Sequence, residues 1–236
     1  MYKRQALEEA NRLVEDMIKE CEQIGIVGEK IIEDGDTILT HCNAGALATI
    51  DFGTALAPIR KAYEKGKSIT VFVDETRPRL QGARLTAWEL AEEGIKHYVI
   101  PDTATGFFMS QGEIKKIIVG ADRCFQDGSI INKIGTLQVA VLANYFDIPF
   151  YTAFPSSTLD LETPINSSQV IEFRSEEEIK TIKQLDKEII VTNPTSKVIN
   201  PAFDLTPPDL ITGYITPKGV LYLSELKEWI AKQKGK

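Results

Sequence analysis

Ser68-Ile-Thr-Val-Phe-Val73 carries apolar side chains on both faces of an extended chain. That is the pattern of a strand in a parallel sheet covered by helices on both sides. Upstream, Asp34-Gly35-Asp36 reads as a turn and Thr37 to Cys42 as a short β-rich run. A helix fits Gly45 to Lys65, closed by Gly66. Downstream, a helix from Gly82 to Glu93 ends at Gly94, and a strand follows around His97 to Ile100. A helix around Gly106 to Gln111 precedes the strand Lys116-Ile-Ile-Val119. The apolar stretch Gly135 to Phe146 reads as helix, and Phe150 to Ala153 as strand. Such alternation predicts an α/β fold, a Rossmann-like, mostly parallel sheet with helices on both faces.

Ahead of the sheet, Ala6 to Ile32 reads as one amphipathic helix, with a break near Gly25. The chain is therefore read as an N-terminal helical segment, 1–32, followed by a Rossmann-like domain, 33–236. After Ser156 the pattern weakens. Glu162 to Lys187 reads as an excursion with a charged turn at Glu176, Glu177 and Glu178. Asn200-Pro-Ala-Phe-Asp204, a Pro-rich helix start, a strand from Leu210 to Thr216 and a closing helix from Ser224 complete the chain. The basic end, Lys232 to Lys236, reads as a frayed terminus.

The chain has 236 residues, 43% of them hydrophobic and 26% charged, which is the balance of an ordinary globular protein. A net charge of -7 argues against a nucleic-acid surface, where Lys and Arg must concentrate. No apolar run is long enough to cross a bilayer. Three widely spaced cysteines, Cys21, Cys42 and Cys124, fit a reducing cytoplasm. With two histidines and no cysteine pair, a zinc site is not expected, and there is no P-loop or Gly-x-Gly-x-x-Gly turn for a nucleotide. No metal or organic cofactor is anticipated.

In open parallel sheets, ligands bind beyond the carboxyl ends of the strands. That rule selects four clusters. Cys42 ends the run Thr37 to Cys42 and is followed by Asn43-Ala-Gly-Ala-Leu-Ala-Thr49. If those small residues open a helix, its N-terminus lowers the pKa of the thiol; a buried structural cysteine is the other reading. Asp122, in Gly120-Ala-Asp-Arg123, is either a helix cap or partner of Arg123, or a carboxyl kept protonated by apolar surroundings. Asp74-Glu-Thr-Arg-Pro through Gln81-Gly-Ala-Arg84 offers arginines and an amide for a sugar phosphate, or is a solvated charged loop. Asn132-Lys133-Ile-Gly135-Thr136 sets an ammonium before a helix, either an anion site or a plain cap.

These clusters carry a resemblance. Thr40-His-Cys-Asn-Ala-Gly-Ala-Leu-Ala-Thr49, Asp74-Glu-Thr-Arg-Pro78 with Gln81-Gly-Ala-Arg-Leu-Thr-Ala-Trp-Glu-Leu90, Gly120-Ala-Asp-Arg123, Asn132-Lys-Ile-Gly-Thr136 and Asn200-Pro-Ala-Phe-Asp204 resemble, in this order, the motifs of the methylthioribose-1-phosphate isomerases. These are sugar-phosphate isomerases of methionine salvage, which share a fold with regulatory subunits of the translation initiation exchange factor. The resemblance implies catalytic roles for Cys42 and Asp122. It implies sugar and phosphate contacts for Gln81, Asn132 and Lys133, no cofactor, and a homodimer in the cytoplasm. Ribose-1,5-bisphosphate isomerase and a non-catalytic regulatory subunit are the rival readings. In the family an N-terminal helical subdomain with an Arg-Gly-Ala motif precedes the matched region. Met1-Tyr-Lys-Arg-Gln5 resembles a non-native leader, so the expectation is a truncated piece with part of the phosphate clamp. Pro217 stands where the family's Ile-Thr-Glu-x-Gly tail has Glu.

Overall fold

Glu, Lys and Arg interleaved with Leu, Val and Ile make the first element one helix, α1 (Tyr2–Gly28), in a computed structural model that describes residues 2–163, 171–184 and 186–234. The helix does not break at Gly25. A Cβ there would lie 3.0 Å from the Lys61 side chain and 3.1 Å from the Ala57 carbonyl. The bare backbone instead lets α1 press against α2 (Leu56–Glu64), with Cys21 and Ile24 fully buried. Leu7, Leu13 and Val14, earlier on α1, remain exposed.

The main sheet begins with β1 (Thr37–Thr40), β2 (Thr70–Asp74), β3 (His97–Ile100) and β4 (Lys116–Val119). Between them lie α2, α3 (Ala87–Glu92) and α4 (Thr105–Ser110). The chain then leaves for a second sheet through β5 (Arg123–Phe125) and β6 (Ile130–Lys133). Helix α5 (Thr136–Tyr145) leads back to β7 (Phe150–Ala153), and β8 (Leu159–Asp160) again joins the second sheet. A one-turn helix α6 (Glu177–Lys180) runs into the hairpin of β9 (Thr181–Gln184) and β10 (Lys187–Ile190). Strand β11 (Phe203–Thr206) completes the second sheet; β12 (Gly213–Thr216), β13 (Gly219–Leu221) and α7 (Leu223–Lys234) complete the first.

The seven strands lie in the order β13-β12-β7-β4-β1-β2-β3, all neighbours parallel except β12 and β13. Their side chains feed two cores. Ile38, Val71, Val73 and Ile118 pack with Ile24, Leu56 and Ile59 on one side. Leu39, Phe72, Ile117 and Val119 pack with Val139, Leu226 and Trp229 on the other. This is the α/β architecture expected from Ser68 to Val73, and it has a consequence for chemistry. The order of strands reverses between β1 and β4, and a crevice opens where the connections part.

Two further expectations are corrected, and one sheet is new. No helix runs from Gly45: residues 43–55 form a loop and α2 starts only at Leu56. Asp51 lies in the left-handed region (φ 61), which a right-handed helix excludes. The loop also closes on itself through Thr54 and Leu56 N–H groups donated to the Ala44 carbonyl. The strand at Leu210 to Thr216 is shorter, because Pro208–Leu210 forms a 3-10 turn and β12 begins at Gly213. The antiparallel sheet β11-β6-β5, with β8 at its edge, was not anticipated. Of the excursion Glu162 to Lys187, residues 164–170 and 185 lie outside the described residues, as do 235 and 236 of the basic end.

Candidate active site

Cys42 sits just beyond β1, and Asp122 just beyond β4, so the two strands flanking the reversal deliver the two groups to one crevice. Gln81 comes from the turn after β2, and Asn132 and Lys133 from the end of β6. All five line a single cavity of about 620 Å³.

The cysteine is held in a strained backbone, φ 66, in the left-handed region. Its N–H donates to Thr76 Oγ1 at 2.8 Å, and Thr86 Oγ1 donates to its carbonyl at 2.7 Å. With no helix opening after it, the thiol lacks the dipole expected to activate it. Burial is the strongest influence and pushes it up to about 11, against the lowering effect of the Asn43 N–H and the charges of Lys133 and Arg174. Burial thus favours the protonated thiol, which of the two readings of Cys42 disfavours the lowered pKa.

Asp122 reaches solvent through the open cleft, yet the surrounding walls desolvate its carboxyl enough to raise it above the ordinary Asp value, despite Lys133 and Arg174 nearby. Burial likewise lowers Lys133, which is only 6% exposed. Its Nζ lies 4.2 Å from the ring centroid of Phe203, its cross-strand partner on β11. Asn132 Nδ2 donates to Thr136 Oγ1 at 2.9 Å, tying β6 to the start of α5. The side-chain carbonyl oxygens of Gln81 and Asn43 are buried and accept no hydrogen bond from the described residues. Both residues line the cavity, so the two oxygens suit donors such as sugar hydroxyls.

Two supports were not read from the sequence. Glu89 on α3, 3% exposed, gathers the cysteine loop. It accepts from Asn43 Nδ2 at 2.9 Å, from Ala46 N–H at 2.8 Å, from Leu47 N–H at 3.3 Å and from Arg60 Nη2 at 2.5 Å. Arg60 in turn donates to the Phe52 carbonyl and to Glu93. A Cβ at Gly45 would fall 2.3 Å from a Glu89 oxygen, so only glycine lets the loop lie on that carboxylate. The second support is His41, whose Nδ1 lies 2.9 Å from Asp74 Oδ2 and whose Nε2 lies 2.9 Å from the Ile134 carbonyl. It spans the end of β1 and the loop after Lys133.

His41, Asp74 and Asp102 bring potential metal-ligating atoms within 4.8 Å of one another. Their atoms are already engaged, however. Asp102 accepts from the Thr76 and Arg77 N–H groups at 2.7 Å each, and Thr105 Oγ1 donates to Asp74 at 2.6 Å. The cluster is a hydrogen-bonded scaffold under the site.

Alkylation follows from these environments. Cys21 and Cys124 are fully buried, so iodoacetamide should label only Cys42 in the folded protein. The rate should be slow at pH 7 and rise about tenfold per pH unit toward pH 11, as the thiolate fraction grows. Fast, pH-independent labelling near neutrality would show an activated thiol instead.

A profile of the Initiation factor 2 subunit family matches residues 1–223. The chain is 51% identical over 214 residues to "Methylthioribose-1-phosphate isomerase" of Petrotoga mobilis, covering 91% of this chain and 60% of that one. Among solved structures, 5-methylthioribose 1-phosphate isomerase from Pyrococcus horikoshii OT3 superposes with a TM-score of 0.89 at 38% identity, over 98% of this chain and 64% of the other. The structure titled translation initiation factor eIF-2B, subunit delta, from A. fulgidus superposes with a TM-score of 0.86 at 43% identity, over 96% and 66%. The chain thus spans less than two thirds of the length of these curated relatives.

Proposed function

The chain belongs to the initiation factor 2 subunit family, and from that premise we propose that its cleft converts 5-methylthioribose 1-phosphate to 5-methylthioribulose 1-phosphate, an aldose–ketose isomerisation of methionine salvage. The observation that carries this reading is the meeting of the Cys42 thiol, the Asp122 carboxyl and the buried Lys133 ammonium in one cavity, where desolvation pushes the first two up. The isomerases of Petrotoga mobilis and Pyrococcus horikoshii support the choice of substrate.

The phosphate on the anomeric carbon prevents spontaneous opening to a free aldehyde, so the ring oxygen must be protonated as its bond to C1 breaks. Asp122, raised by burial, is the acid. Hydrogen must then pass from C2 to C1. Because burial pushes the Cys42 thiol up to about 11, direct hydride transfer is favoured over abstraction by a thiolate. The hydride leaves C2 with its electron pair and fills the electron-poor C1. The O2 proton returns to the Asp122 carboxylate, which restores the acid and leaves a ketone at C2. Cys42 then acts as a positioning and electrostatic group against the reacting carbons. Gln81 and Asn132 hold hydroxyls, and Lys133 faces the phosphate. Turnover in deuterium oxide, read by proton NMR, tests the route. Product without deuterium at C1 is expected, and stoichiometric incorporation at C1 would establish proton abstraction by Cys42 instead.

The likeness to the initiation-factor subunit favours a second reading, a regulatory protein that binds a sugar phosphate or nucleotide without turning it over. The thiol and carboxyl sharing one cleft argue for chemistry. We further propose a homodimer in a reducing compartment, supported by three free cysteines and by the exposed Val141 and Tyr145 on α5; sedimentation as a stable monomer at high concentration would remove the dimer. Among the described residues no helix is long and apolar enough to cross a membrane.

A further inference from the structure

Lys133 is not the only cation brought to the cavity. Arg174 lines it too, and its guanidinium carbon lies 5.3 Å from the centroid of the Phe203 ring that also carries the Lys133 ammonium at 4.2 Å. Two cations beside one aromatic ring repel each other, and Arg174 acts with burial to lower Lys133. A doubly charged anion between them removes that repulsion, and a guanidinium fork matches phosphate oxygens geometrically.

The fold spends several contacts on delivering Arg174. Phe173 forms an antiparallel bridge with Pro201. Arg174 N–H donates to the Asn200 carbonyl at 2.9 Å, and Ala202 N–H donates to the Glu172 carbonyl at 2.9 Å. Asn200 is 3% exposed, and its Nδ2 donates to the Ser175 carbonyl at 2.9 Å and to Glu178 at 3.2 Å. Downstream, Asp204 accepts from the Gly135 and Leu137 N–H groups at 2.7 and 3.1 Å, fixing the loop after Lys133. The motif Asn200 to Asp204 therefore holds both cations: Asn200 ties down the Arg174 segment, the Phe203 ring is within reach of both charges, and Asp204 anchors the turn beside Lys133. Arg174 Nε and Nη2 donate to Glu172 at 3.1 and 3.3 Å, and among the described residues no hydrogen bond engages Nη1.

We infer that Arg174 is the second cation of the phosphate subsite, clamping the phosphoryl group of the substrate against Lys133 over the Phe203 ring. The substrate's identity rests on the isomerase reading; the anion site does not. An anion held there also bears on Asp122, whose carboxyl now feels Lys133 and Arg174 as its charged neighbours. Neutralising both cations removes the influences that favour ionised Asp122, so phosphate binding helps the acid keep its proton until the ring opens.

The test uses inorganic phosphate on the full chain, with its dissociation constant measured by calorimetry and by its slowing of Cys42 alkylation. Arg174→Gln should weaken phosphate binding about tenfold or more. Arg174→Lys should recover part of that loss, and Glu172→Gln should leave binding as tight as in the parent or tighter. The unprotected alkylation rate and the circular dichroism spectrum report whether each variant is folded. A folded Arg174→Gln protein with parental phosphate affinity would overturn the inference. So would a parent that binds no phosphate, or a Glu172→Gln protein that loses as much affinity as Arg174→Gln, since the arginine would then be only half of a surface ion pair. If phosphate binding depends on Arg174 but neither sugar phosphate is isomerised, the anion site stands and the isomerase reading fails.

Discussion

Asp122→Asn should lower the isomerisation rate by about 10³- to 10⁴-fold, and Cys42→Ser by about 10²-fold, with the thermal transition of both variants close to that of the parent. The asparagine keeps the size and hydrogen bonds of the carboxyl but has no acidic proton for the ring oxygen. The serine keeps a neutral hydroxyl where the resting thiol is neutral, so it removes the size and polarisability of sulfur while preserving much of the local geometry. The larger effect therefore belongs to the aspartate. Initial rates measured at saturating substrate check both, and near-parental turnover in Asp122→Asn would remove the acid from the mechanism. A Cys42→Ser loss as large as that of Asp122→Asn would return the cysteine to the role of a base.

Glu89→Ala should be among the most damaging substitutions outside the reacting pair. It deletes a buried carboxylate that accepts four hydrogen bonds, two of them from the backbone of the cysteine loop. It also takes from the Arg60 guanidinium, whose side chain is 9% exposed, one of its two carboxylate partners and leaves Glu93 as the other. Because Arg60 keeps Glu93, the cost comes mainly from the donors of the cysteine loop that lose their acceptor, about 1–3 kcal/mol. Chemical denaturation should show a loss of that order. A double change, Arg60→Met with Glu89→Leu, should recover part of the stability by removing both charges. It should not recover activity, since Ala46 and Leu47 still lose the acceptor that shapes the loop around Cys42. A loss below about 1 kcal/mol in Glu89→Ala would mean that the loop is held by its own backbone contacts, through Ala44 and Thr54, instead.

What was legible in the sequence follows from the range of the interactions involved. Strands β4 and β7 occupy the predicted segments because a parallel strand buried on both faces is written locally, in consecutive apolar residues such as Ile117-Ile118-Val119. Cys42 and Asp122 could be selected because the ends of such strands are where a crevice opens. The loop after Cys42 was misread as helix because Ala44, Ala46, Leu47 and Ala48 have good helical propensity. What overrides that propensity is a carboxylate more than forty residues downstream, and a glutamate on a helix looks like a solvated charge until its partners are known. The second sheet was missed for a similar reason. Arg123–Phe125 is only three residues long, and β6 finds its other partner in Phe203–Thr206 on the far side of the excursion. Arg174 was invisible in the same way. It stands among charged residues, and long-range contacts with the Asn200 to Ala202 segment bring it to the cavity wall.

The central claim is that this cleft isomerises a methylthio sugar phosphate. It is tested most directly by supplying the purified protein with 5-methylthioribose 1-phosphate and ribose 1,5-bisphosphate in parallel and following ketose formation, with nucleotide binding measured on the same sample. The isomerase reading predicts conversion of the methylthio sugar, slower or no conversion of the bisphosphate, and loss of the reaction in Asp122→Asn. Faster conversion of the bisphosphate, or nucleotide binding without turnover of either sugar, would contradict it.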